Sequence, residues 1–137
     1  MATGSPNFAI TPRVGVGLAA TGDTSLTAPV SRVTVLAAGA SGSRIERIVL
    51  TAVGATTATT LRLFIYNGAT YSLWKEIIVP AVAPSAGAIP VWSYTLEAVT
   101  TPNLMPLLLP SGSSLVASIN NTQTSSGVNV FAIGGDF

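Results

Sequence analysis

The side chains able to do chemistry are few and scattered. Hydroxyls are plentiful, but the 137-residue chain has no His and no Cys, and its carboxylates are limited to Asp23, Glu46, Glu76, Glu97 and Asp136. A Ser or Thr nucleophile needs a neighbouring base to take its proton, and His is the usual one. The sole lysine, Lys75, stands beside Glu76 in an apolar stretch, where it reads as a solvated strand residue rather than as the base of a Ser-Lys pair. Glycoside hydrolysis requires two facing carboxylates, and those present are isolated from one another in sequence. Without Cys there is no thiolate metal site or disulfide framework, and no Asp-x-Asp-x-Asp run offers a calcium loop. Gly15-x-Gly17 lacks the preceding strand, third glycine and following helix of a dinucleotide loop, so backbone turns account for it and for Gly134-Gly135. The expectation is a protein with no catalytic residue, no cofactor, no metal and no small-molecule substrate.

What the chain has instead is apolar surface. Charged residues make up 8% and hydrophobic residues 48%, against roughly a quarter charged in an average soluble domain. Such a surface suits contact with other protein better than life as a free monomer. A net charge of +1 with six scattered cations gives no basic patch for nucleic acid. No apolar run approaches the ~20 residues of a membrane-spanning helix. The start, Met-Ala-Thr-Gly-Ser-Pro-Asn, lacks the charged and apolar regions of a signal peptide, which predicts a soluble protein made in the cytoplasm with no membrane partner. Disordered chains are charge-rich and apolar-poor; this one folds.

The elements that must carry these residues are strands. Val, Ile and Thr recur in short runs punctuated by 13 Gly and 9 Pro, and β-branched residues favour a pleated, half-buried surface. Strands are expected at 13–18, 33–38, 44–53, 60–66, 72–79, 91–96, 115–120 and 128–133. In Leu61-Arg62-Leu63-Phe64-Ile65-Tyr66 the period of two puts Leu61, Leu63 and Ile65 on one face. Asn67-Gly68 follows as a hairpin turn into the next strand. The 44–53 segment is apolar on both faces in its second half and belongs in the middle of a sheet. Pro80, Pro84 and Pro90 flank a low-complexity link crossing between sheets. About eight short antiparallel strands in one domain fit a β-sandwich, jelly-roll-like in type, spanning residues 13–137 behind an extended N-terminal arm at 1–12.

Two groups bear on partners. Tyr66, Tyr71, Trp74, Trp92 and Tyr94 suit either a carbohydrate-stacking platform or core and interface packing, and the apolar surroundings favour packing. Arg44-Ile45-Glu46-Arg47 is the densest charge in the chain; it suits a solvated edge and a partner contact equally.

The strings Gly42-Ser43-Arg44-Ile45-Glu46-Arg47-Ile48, Leu61-Arg62-Leu63-Phe64-Ile65-Tyr66-Asn67-Gly68, Leu73-Trp74-Lys75-Glu76 and Gly134-Gly135-Asp136-Phe137 resemble a group of small virion proteins of tailed bacteriophages and prophages. The resemblance runs from about Thr11 to the C-terminus. It implies a capsid decoration, or cement, protein on the capsid exterior, bound to the major capsid protein and to itself as a dimer or trimer. No catalytic or binding residues come with it. We expect the partner contacts from the arm (Asn7, Phe8, Ile10 and Pro12) and from Arg44, Glu46 and Arg47. The alternative is a head-fibre or tail-fibre domain that binds host-surface glycans through Trp74, Trp92 and the nearby tyrosines.

Overall fold

The computed structural model describes residues 11–124 and 126–137; Asn7, Phe8 and Ile10 lie outside the described residues. None of the described residues is helical. The described residues form nine antiparallel strands: β1 (Thr11–Ala19), β2 (Val33–Ala37), β3 (Ser43–Ala52), β4 (Thr59–Tyr66), β5 (Tyr71–Val79), β6 (Ser93–Glu97), β7 (Leu107–Leu109), β8 (Ser114–Ile119) and β9 (Val128–Asp136). They make two sheets. The larger runs β1-β9-β3-β6, with β7 also on β3, and the smaller runs β2-β8-β4-β5. The expected central strand, β3, has partners on both sides in the larger sheet, as does β9.

The period of two explains how the sheets meet. Ile48, Leu50 and Ala52 of β3 and Val128, Val130 and Ala132 of β9 turn inward, as do Leu61 and Leu63 of β4 and Leu115, Ala117 and Ile119 of β8. All but Ala52 belong to one continuous hydrophobic cluster with Val79, Leu96 and Leu109. The two sheets therefore share a core, in a sandwich-like arrangement, and each fully buried Leu or Ile contributes about 1.5–3 kcal/mol of transfer free energy.

Several boundaries shift for physical reasons. β1 starts at Thr11, because its pairing with β9 runs from Thr11↔Asp136 to Ala19↔Val128; Pro12 thus sits in an edge strand, where a missing N–H is tolerated. β7, which the sequence reading passed over inside a Pro-flanked apolar run, pairs Ser43–Ile45 of β3. The β4–β5 connection spans 67–70, with Gly68 at φ +94° and the Asn67 side-chain oxygen accepting from the Ala69 and Thr70 amides. The low-complexity stretch after Pro80 does carry the chain from the smaller sheet to the larger.

The glycine pairs are not turns. Gly15 and Gly17 lie within β1 and Gly134 and Gly135 within β9. A Cβ on Gly15 would stand 2.2 Å from the Val35 carbonyl oxygen, so its absence lets β1 close down on β2 of the facing sheet. A Cβ on Gly134 would stand 1.9 Å from the Arg44 oxygen, at the place where the β3–β9 register slips between Ile45 and Arg47. Both positions need glycine for close backbone approach.

Candidate functional site

The two sheets treat their outward faces differently, and the candidate site follows from that difference. On the smaller sheet, Arg62, Phe64, Val116 and Ser118 alternate with the core residues of β4 and β8 and yet are buried. The long β1–β2 connection is fastened against this face at Arg62 and at the end of β8. Asp23 anchors it: its carboxylate accepts from the Ser25, Val30 and Ser31 amides at 2.8, 2.6 and 2.9 Å, and its amide donates to Ile119 of β8 at 2.7 Å. Its backbone oxygen takes Nη1 of Arg62 at 3.3 Å. At the far end of the connection, the Arg32 guanidinium lies over the Tyr71 ring, which is itself edge-on to Phe64. The amide hydrogen bonds, that of Ser25 first, hold the Asp23 carboxyl below its ordinary value, with a smaller contribution from the Arg62 charge.

The larger sheet has no such cover among the described residues. Cross-strand registers place its outward residues in rows: Pro12, Gly135, Arg44 and Leu108; then Val14, Ile133, Arg47 and Glu97; then Val16, Phe131, Val49 and Thr95; then Leu18, Asn129, Thr51 and Ser93. Val14, Val16 and Leu18 are 67%, 53% and 46% exposed, and Phe131, Ile133 and Val49 are half-buried. The result is a contiguous apolar field on β1, β9 and the middle of β3. Exposed fields of this kind mark contact surfaces more often than they occur by chance.

The charged string expected to touch a partner borders that field. The register slip in β3 lets Glu46 and Arg47, neighbours in sequence, both be exposed. Arg44 pairs with Glu46 on its own strand, and Arg47 reaches Glu97 of β6 at 3.4 Å. Four of the seven residues named as contacts, Pro12, Arg44, Glu46 and Arg47, are thus brought together on one face; the other three precede β1. The residues the sequence reading missed are Val14, Val16, Leu18, Phe131 and Ile133. The signal that could have found them is the Val-Gly-Val-Gly-Leu alternation, in which the small residues, not the large ones, point inward.

The remaining carboxylates are already engaged. Arg13 bridges to Asp136 at 3.1 Å and donates to the Ala37 oxygen. Ser43 donates to the same Asp136 carboxylate while accepting from the Gly39 amide. The Ser43 hydroxyl, and then Arg13, keep the Asp136 carboxyl below its ordinary value. This network ties β1, β3 and β9 at the C-terminal end of the chain. Glu76 faces Arg62 at 3.5 Å. Every carboxylate of the chain is therefore committed to a guanidinium, a hydroxyl or backbone amides. Among the described residues no three acids come together as a metal-binding group.

The aromatic residues divide into separate groups. Tyr66 and Tyr71 stack at 4.4 Å. Trp92 and Tyr94 stack at 6.3 Å on the opposite sheet. Trp74 and Trp92 pack against the core cluster, which commits part of both rings to the interior. No family model matches this chain, and no curated protein matches it.

Proposed function

We propose that this chain is a bacteriophage virion structural protein, a capsid decoration or cement protein that binds the outer capsid lattice and bridges neighbouring major capsid subunits. The observation that carries the reading is the bare outward face of the larger sheet, apolar on β1 and β9 and bordered by ion pairs that cancel one another. A surface built this way binds by shape and apolar contact, and repetition over a symmetric lattice turns a modest affinity per copy into firm attachment. The resemblance of the 42–48, 61–68 and 134–137 strings to tailed-phage virion proteins points to the same setting. The strand order β1-β9-β3-β6 opposite β2-β8-β4-β5 supports reading the sandwich as a jelly roll, an architecture used by capsid and lectin domains. The chain would act on the particle exterior, after synthesis in the host cytoplasm, as a dimer or trimer with no enzymatic step.

The test compares particles assembled with and without the chain. Complete particles should survive higher temperature and osmotic shock, and the chain should be present in a fixed ratio to the major capsid subunit. Replacing Phe131 and Ile133 together by Glu should abolish incorporation while the isolated protein stays folded. Equal resistance of both particle types would sink the stabilising role. Trp92→Ala, by contrast, should leave incorporation intact; loss of host-cell binding in that variant alone would turn the reading towards a fibre domain.

A further inference from the structure

We infer that β1 is a seam at which a second copy of this chain adds, its own β1 running antiparallel to the first. This goes beyond the capsid reading, because it assigns a self-association surface that needs no capsid.

The edges of the two sheets are unequally protected. Unpaired strand edges template association with another chain, and proteins blunt them with short strands, bulges or charge. β2 has five residues and a register slip between Thr34 and Leu36. β5 carries Lys75 and Glu76 and a slip opposite Leu63 and Phe64. β6 and β7 have five and three residues. β1 has none of these devices: it runs nine residues in unbroken register with β9. Its one charge, Arg13, is consumed by Asp136 and the Ala37 oxygen, and Pro12 guards only its first end. Of the apolar outward residues on β1 and β9, those on β1 are the more exposed, because Phe131 and Ile133 have flanking strands on both sides whereas Val14, Val16 and Leu18 have one on a single side. Among the described residues no further strand lies on that side.

The sequence of β1 fits itself. Antiparallel pairing about Val16 sets Val14 opposite Leu18 of the second copy, Val16 opposite Val16 and Arg13 opposite Ala19. Apolar side chains then meet on one face, and no like charges face each other. The contact is isologous, as a two-fold requires, and it continues the exposed apolar field from one copy into the next. At the Leu18 end the strand adjoins a groove of about 210 Å³ with mixed polar and apolar walls, Leu18, Val30 and Val33 beside Ser31, Arg32 and Ser118.

The experiment uses the full chain, which has no cysteine of its own. Sedimentation of the purified protein should give a dimer at micromolar concentration. Val16→Lys should give the monomer with an unchanged circular dichroism spectrum, and its melting temperature should lose the dependence on protein concentration that dimerisation gives the wild type. Ile78→Lys, at the 79%-exposed position on β5, should leave the dimer intact. Under mild oxidation Val16→Cys should form a disulfide-linked dimer, since directly opposed Cβ atoms in an antiparallel pair lie about 4.5–5.5 Å apart, whereas Ile78→Cys should not. A monomeric wild-type chain would overturn the inference. So would a Val16→Lys variant that remains dimeric, including the case in which deleting residues 1–10 is what dissociates it. Incorporation into capsids is a separate measurement, so failure here leaves the capsid reading to its own test.

Discussion

The outward faces of the two sheets start from the same pattern and end in opposite states. Each has a large aromatic residue in the middle of a central strand, Phe64 on β4 and Phe131 on β9, and each has arginines alongside. Over the smaller sheet the chain spends the whole β1–β2 connection on covering that surface, with Asp23 and Arg32 as fasteners at its two ends. Over the larger sheet none of the described residues does so. A covered face adds to the stability of the monomer. A bare one adds little until something else covers it, which is the property of a surface kept for a partner.

The contrast is sharpest in stability. Phe64→Ala should destabilise the fold by about 3–5 kcal/mol, the usual cost of emptying a fully buried aromatic site, because Phe64 is fully buried, with the Tyr71 ring against its edge. Phe131→Ala should cost about 1 kcal/mol or less, in the range of substitutions away from buried features. Equilibrium unfolding in urea measures both. Similar losses for the two would mean that the face of the larger sheet is part of the monomer's own core, and the distinction between the faces would collapse.

Next in size is the loss of the fastener. Asp23→Ala removes the acceptor for the Ser25, Val30 and Ser31 amides, so the connection should lift and leave Phe64 and Arg62 open to water. The Val30 and Ser31 amides should exchange with solvent faster than in the wild type, and protease should cut within 24–31 while the strands stay intact. Unchanged exchange at those amides would show that Arg32 on Tyr71 suffices to hold the cover.

Much of this could be read from the chain and some could not. The alternation in 44–53 and 61–66 announces β3 and β4 because their inward residues are large and their period is strict. β7 was invisible because three leucines between prolines have no period to read; only the adjacent β3 edge makes them a strand. The glycines of β1 and β9 were read as turns because a glycine in sequence signals freedom, whereas here it signals a backbone passing within contact distance, Val35 at one and Arg44 at the other. That inversion also hid the bare face, since recognising it requires knowing that Gly15 and Gly17 point to the core and leave the valines outside. Arg44, Glu46 and Arg47 were legible as a charged cluster, but their mutual neutralisation depends on Glu97 of a different strand.

Acid should weaken both faces' anchors through the same sign of linkage. The Asp23 and Asp136 carboxyls are held below their ordinary value of 3.8 in the folded chain. A carboxyl lowered by folding contributes stability above its unfolded value and loses that contribution as the pH falls through its folded one. Unfolding midpoints should therefore hold steady near neutrality and drop below about pH 4. Asp136→Asn should flatten part of that drop, since its Ser43 and Arg13 contacts no longer depend on ionisation, and Asp23→Asn should flatten another part. An acid profile identical in wild type and both variants would place the sensitivity elsewhere.

The smallest expected effect is the most telling about the bare face. Its charged residues form two pairs, Arg44 with Glu46 and Arg47 with Glu97, so the field they project beyond the sheet is close to that of a neutral surface. Salt screens the attraction between separated charges over about 10 Å at 0.1 M, but it has little to screen when the partner meets Val14, Val16, Phe131 and Ile133. Raising the salt should favour apolar burial slightly, if it acts at all. Capsid binding should accordingly change by less than about threefold between 0.05 and 0.5 M NaCl. A steep decline would mean that the ion pairs open on contact and that Arg44 and Arg47 find acids on the partner. The apolar field would then be the border of the interface, and the arginines its centre.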